Sequence, residues 1–318
     1  GHISLDITPE FHNSGTQKFS EILRQGKLVN VGPAQMTLGG AVSNTGLALQ
    51  KLGADVILTA KIGTDLFGDI MMKKLEEYGC PMHLIRDEEG ATSYTIVLAP
   101  KGSDRAFLHD PGSNHTFCAD DLDWEEVKKV DYFHFGYPTL MRRFYENDGA
   151  GLVKLYKAVK SAGLTSSLDL AAVDPESESG QCDWESILKQ VLPYVDFFVP
   201  SIEELAYMVD REKYQEWQER AEGEDIVSIL SLSKDVRPLA EKVLSYGCSA
   251  VLLKCGAAGM YLKTSGKERM RNVDADLEGW ENTELFEDSF VPERILSGTG
   301  AGDTSISAFL YAAMQGCT

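Results

Sequence analysis

Ser297-Gly298-Thr299-Gly300-Ala301-Gly302-Asp303-Thr304-Ser305-Ile306-Ser307-Ala308-Phe309-Leu310 sets glycines at alternate positions. It then turns apolar at Ile306, Phe309, Leu310 and Ala313. Glycines let a backbone take positive φ and lie close to a ligand, and apolar residues at i, i+3, i+4 and i+7 predict a helix. A glycine-rich loop therefore opens directly into a helix. The first N–H groups of that helix have no intrahelical partner and sit at the positive end of its dipole. Such a terminus can receive a phosphoryl group in transfer. Asp303 falls at the junction, where a carboxylate can take the proton of an attacking hydroxyl if positioning supplies most of the catalysis. On the loop alone, an ordinary acidic helix start is an equally good reading. The dinucleotide fingerprint does not fit, because it needs GxGxxG in a first βα turn; this loop reads GxGxG near the end of the chain, and no GxxxxGK[ST] occurs anywhere.

Upstream of this loop, strand-like and helix-like stretches alternate. Thr37-Leu38-Gly39-Gly40 leads into a helix over Ala41–Leu52, with Gly53 as its stop. A strand at Val56–Ala60 and a helix from Phe67 to Tyr78 follow. Further strands read at Tyr132–Phe135, Ser166–Leu170, Val195–Val199 and Ala250–Lys254, with helices at Leu152–Ala162 and Val236–Tyr246. Short apolar strands alternating with helices predict a mainly parallel sheet covered on both faces. Two regions depart from this rhythm, about 7–38 and about 91–112. Thr92–Ala99 and Arg105–Leu108 alternate with period two around a Pro-Lys-Gly-Ser-Asp turn, as a half-buried hairpin does. Together the two regions predict a small β lid standing off one α/β domain that spans 1–318. The acidic stretch Asp210–Asp225 reads as a solvated helix or loop.

The formal charge of −19 over 318 residues points away from a nucleic-acid partner. No apolar run is long enough to cross a membrane. The six cysteines show neither CxxC nor Cys/His ligand spacing, so they read as reduced thiols of a cytoplasmic protein. Both ends read as cut, since the chain opens abruptly at Gly1-His2-Ile3 and closes directly after the last helix.

With these residues in place, the chain resembles the ribokinase/PfkB carbohydrate kinases. Their C-terminal signature, D-T-x-G-A-G-D before a helix, is matched by Ser297–Asp303. Their Gly-Gly pair followed by Asn is matched by Gly39, Gly40 and Asn44, and their G-x-D-x-x-G by Gly63–Gly68. The resemblance implies a three-layer ribokinase-like α/β fold with a β lid. It implies ATP and Mg²⁺ as cofactors and a sugar-type acceptor. Asp303 would be the catalytic base, and the N–H groups of Gly300, Ala301 and Gly302 the anion hole. Asp6, Gly39, Gly40 and Asn44 would bind substrate, with Asp169 beside substrate or phosphates. Lys254, Gly256, Gly259 and Thr299 would lie against the nucleotide, and Glu204 would hold Mg²⁺. Plainer roles stay open: Asn44 as a helix cap, Lys254 as a strand-end lysine, Glu204 as a first-turn acid. Ser201 replaces the family's Asn in N-x-x-E, and Ser297 replaces an Asp linked to the monovalent-cation site, so the resemblance does not extend to K⁺ dependence. Leu168–Pro175 lacks the D-x-N-x-R pattern of fructokinase-like members. The expected activity is phosphorylation of a hydroxyl of a sugar or sugar-like alcohol. The alternatives are a nucleoside kinase and a non-catalytic sugar-binding protein on the same scaffold. A homodimer through the lid is expected, because an apolar sheet face calls for a partner.

Overall fold

A computed structural model describes residues 1–12, 22–100, 105–271, 273, 277–291, 293 and 300–317. Thr299 and Ser297 lie outside the described residues, as does the turn at 101–104.

The apolar strands assemble as their patterns require. β7 (Tyr132–Gly136), β8 (Thr165–Asp169), β9 (Phe197–Phe198) and β10 (Ala250–Cys255) pair in parallel. Two antiparallel strands, β11 (Gly259–Thr264) and β12 (Glu284–Asp288), extend this sheet to six. Successive side chains face opposite sides of a strand. Leu168, Phe198, Val251 and Leu253 therefore enter one core, beneath helices α3 (Arg142–Ser161), α4 (Trp184–Val191), α5 (Ile202–Val209), α6 (Arg211–Ala221) and α7 (Arg237–Leu244). Phe197, Val199, Ala250 and Leu252 enter a second core on the opposite face. There they meet Leu49 of α1 (Ala41–Leu52) and Ile306, Leu310 and Ala313 of α8 (Ala301–Met314). The sheet is thus covered on both faces.

A third core joins α1 to a two-stranded parallel pair, β3 (Leu58–Gly63) and β4 (Met82–Asp87), and to α2 (Leu66–Glu77), through Leu47, Leu58, Ala60, Ile62, Met71 and Leu75. The remaining strands form a separate four-stranded sheet in the order β2 (Ala34–Gly39), β1 (Ser4–Pro9), β5 (Tyr94–Leu98), β6 (Ala106–Asp110). Its register places Thr37, Asp6, Thr95 and His109 in one row across all four strands. Residues directly opposite share a face, so this row is polar from edge to edge.

The acidic stretch from Asp210 is more than a solvated face. It forms α6, whose Trp217 is fully buried and donates from Nε1 to Asp235 at 3.0 Å. Asp235 also accepts from Arg220 at 3.1 Å. No helix among the described residues is long and apolar enough to span a membrane.

Candidate active site

Two helix N-termini meet at the site. α8 begins after Gly300, whose φ of 74° is left-handed and suits glycine. Asp303 follows in the first turn and is 5 % exposed. α1 begins after Gly40, with φ 85°. The two helices are tied by Ser307, whose hydroxyl lies 3.0 Å from the Thr45 carbonyl oxygen and 2.7 Å from that of Asp303. This packing brings α1 side chains to the carboxylate. Asn44 Nδ2 donates to Asp303 Oδ2 at 3.2 Å, and Thr45 Oγ1 donates to Oδ1 at 3.2 Å. Asp303 and Asn44, 259 residues apart in sequence, are direct neighbours.

Tyr137 completes the carboxylate's surroundings. Its hydroxyl lies 2.8 Å from each Asp303 oxygen. Burial, and next Asp303, hold its phenol well above the usual value, so it stays a donor. Tyr137 is itself left-handed, with φ 66°, and follows directly on β7. The signature motifs do not mark Tyr137 or Thr45. The available signal for Tyr137 is positional: ligands of open α/β sheets bind beyond the carboxyl ends of the strands, and Tyr137 follows β7 there.

Behind Asp303 lies a buried ion pair. Lys254 Nζ donates to Asp169 Oδ1 at 2.8 Å, and Asp169 is 1 % exposed. Burial pushes Asp169 up to about 7 against the pull of Lys254, with Glu204 and Asp303 adding to the rise. Burial pulls Lys254 down, yet Asp169 and Glu204 raise it overall. The two shifts oppose each other in meaning, since one disfavours the charged pair and the other favours it. Three carboxylates around one ammonium reconcile them, because the ammonium gains from all three while Asp169 also feels the repulsion of the other two. Lys254 is therefore not a solvent-reaching strand-end lysine. Its side chain runs beside Gly302, where an added Cβ would stand 3.5 Å from Lys254 Cδ.

Asp6 lies on β1, where Oδ1 accepts from Ser4 Oγ at 2.8 Å. Gly39 on β2 pairs with Ser4, and a Cβ there would run into the Asp6 carboxylate two residues along. Gly39 thus lies against Asp6 in the polar row, Gly40 against His2, and Asn44 against Asp303. Glu204 is the third residue of α5. Its carboxylate accepts from the Ser201 backbone N–H at 3.3 Å while Ser201 Oγ accepts from the Glu204 N–H at 3.4 Å, a reciprocal cap. The nucleotide-side glycines separate. Gly256 opens an exposed turn between β10 and β11. Gly259 lies within β11 at a φ of 135°, and a Cβ there would also collide with the Glu287 carbonyl of β12, so the strand geometry by itself requires glycine.

The sequence model of the pfkB family of carbohydrate kinases matches residues 14–317. The chain belongs to that family. An uncharacterized sugar kinase of Archaeoglobus fulgidus is 23 % identical over 270 residues, covering 85 % of this chain and 87 % of its own length. Fructokinase-2 of Oryza sativa subsp. japonica is 26 % identical over 176 residues, covering 54 % of this chain and 50 % of its own. The solved structure of Arabidopsis thaliana ribokinase complexed with ribose and ATP superposes with a TM-score of 0.70 at 18 % identity, covering 100 % of this chain and 85 % of that one. This last likeness shows the ribokinase-like fold.

Proposed function

We propose that the chain is an ATP-dependent kinase that phosphorylates a hydroxyl of a sugar or sugar-like alcohol, with Asp303 as general base. The observation that carries this reading is the buried Asp303 carboxylate in the first turn of α8, directly behind Gly300, and within hydrogen-bond reach of Asn44 on the acceptor side. The acceptor hydroxyl displaces one of the carboxylate's donors and gives up its proton to Asp303. Its oxygen bonds to the γ-phosphorus as the bond to the β–γ bridging oxygen breaks, and ADP leaves with that electron pair. The N–H groups of Gly300, Ala301 and Gly302 receive the charge of the group in transfer. Lys254, held by Asp169 beside Gly302, presents its ammonium to the phosphates. On this reading Asp169 serves the phosphates through Lys254 and does not touch the sugar.

The oxygen-rich donors fit Mg²⁺. An ion carried on nucleotide phosphates keeps most of its own waters and needs few protein ligands. Glu204 would hold those waters, and the bound ion would neutralise phosphate charge. The four-stranded sheet acts as the lid, its polar row over the acceptor.

Asp303→Asn tests the reading. With a panel of sugars and nucleosides followed by ADP release, turnover falls by about 10²–10⁴-fold while acceptor binding persists. A wild-type chain that transfers phosphate to none of them, or an Asp303→Asn variant that keeps its turnover, overturns it.

A further inference from the structure

We propose that His2, faced by His109, is an acceptor-binding residue that reads one hydroxyl of an uncharged polyhydroxy substrate. The inference rests on the sugar-kinase reading for the word acceptor, and its binding test stands apart from that reading.

His2 is 2 % exposed, and neither ring nitrogen has a partner among the described residues. Buried polar atoms are nearly always paired, so two orphans on one ring call for a ligand. The ring sits between His109 and Tyr137, with centroids 5.5 Å and 5.7 Å away. Tyr137 is the residue whose hydroxyl meets Asp303. His2 is thus one side chain from the proposed base.

Its backbone is fixed on both sides. The His2 carbonyl accepts from Val42 N at 3.0 Å, at the start of α1. Ile3 N donates to Asn114 Oδ1 at 3.2 Å, and Asn114 Nδ2 returns a bond to Ile3 O at 2.8 Å. Gly40 makes room for the ring, since a Cβ there would stand 2.7 Å from His2 Nδ1. A ring seated this firmly, and left without partners, is preorganised for something that enters.

The opposing wall sets the chemistry. The polar row ends at His109, whose Nδ1 lies 3.0 Å from Thr95 Oγ1. Burial, then His109, keep the His2 imidazole well below its ordinary value, and burial lowers His109 likewise. A neutral imidazole offers one donor and one acceptor, the complement of a hydroxyl. The row Thr37, Asp6, Thr95, His109 holds a carboxylate and no cation, so a sugar acid or sugar phosphate would meet like charge there.

Calorimetric binding without nucleotide, and steady-state kinetics with ATP, are measured for the best neutral sugar, its single-deoxy analogues, and an acidic and a phosphorylated sugar. His2→Phe keeps the ring shape and removes both nitrogens. The expected result is a rise of about 10- to 100-fold in Kd and KM for the parent sugar, no change for one deoxy analogue, an unaltered KM for ATP, and partial rescue by His2→Asn. In the wild type, the ring nitrogen resonances of His2 shift when sugar is added, a readout that needs no variant to fold. Equal losses across all analogues, an unshifted His2 resonance, a preference for the acidic or phosphorylated sugar, or a wild type that binds no neutral sugar would each overturn the proposal. Sugar binding that shifts His2 without any phosphate transfer upholds it while sinking the kinase reading.

Discussion

Lys254 shows how much one residue carries. Its ammonium neutralises Asp169, which has almost no access to water. Removing one partner of a buried pair leaves an uncompensated charge, whereas removing both leaves an apolar contact. Lys254→Met should therefore cost about 3–5 kcal/mol in urea unfolding near neutral pH, and Lys254→Met with Asp169→Leu should recover most of it. Neither variant should transfer phosphate. The cost also has a pH sign. Without Lys254, folded Asp169 escapes its penalty by holding a proton, while the unfolded carboxyl, near 3.9, is ionised. Wild-type Asp169, raised to about 7, itself holds a proton below neutrality, so the cost of the variant is small near pH 5 and grows by up to about 1.4 kcal/mol per pH unit only as pH rises through and above 7. A single variant as stable as the wild type at pH 8, or a double variant no better than the single, would show that the pair is not a buried unit.

At the scale of elements, legibility tracked how completely local pattern and local physics agree. α1 spans Ala41–Leu52 as its periodicity predicts, because Gly53 takes the left-handed stop at φ 102°. The hairpin registered as β5 and β6 because its alternation separates a polar from an apolar face. β12, Glu-Leu-Phe-Glu-Asp, was not legible: it is an edge strand with charges on an exposed rim, and only pairing with β11 makes it a strand. The apolar run Val195–Val199 forms a ladder only at Phe197–Phe198, and the helix read at Leu152–Ala162 begins at Arg142, across a kink at Glu146–Gly149. The site divides the same way. Asp303 and Asn44 announce themselves by motif, whereas Tyr137, Thr45 and His2 acquire meaning only once α1, α8 and β7 converge. The Gly39-Gly40 turn couples the two levels. Gly39→Ala leaves α1 intact but drives a methyl group into the Asp6 carboxylate. The acceptor KM should rise at least about tenfold, the size of one lost charged hydrogen bond, with the KM for ATP unchanged. Equal rises in both would place the effect in the fold and not at Asp6.

The whole molecule poses a question that neither residues nor elements answer, namely what covers the back of the four-stranded sheet. The face opposite the polar row carries Ile7, Met36, Ile96 and Leu108 in one row, and beyond it the pairs Pro9 with Ala34 and Leu98 with Ala106. The row nearest the body packs through Leu38 and Tyr94 against the third core, with Phe67 edge-on to Tyr94 at 5.4 Å. In the next row Ile7 still packs on that core and Ile96 is half-buried, while Met36 and Leu108 at its two ends are 37 % and 57 % exposed. A contiguous apolar sheet face of this kind marks an association surface. Each chain carries a formal −19, so two copies repel and can meet only where charge is absent. These positions hold no ionisable side chain, which is why we propose a homodimer through the lid. Light scattering should give twice the chain mass. Association should tighten with added salt, because screening removes the repulsion and leaves the apolar contact intact. Met36→Glu with Leu108→Glu should yield a folded monomer by circular dichroism and sedimentation. A monomeric wild type at high salt, or a dimer that survives both glutamates, would mean that the face is covered by something other than a second copy.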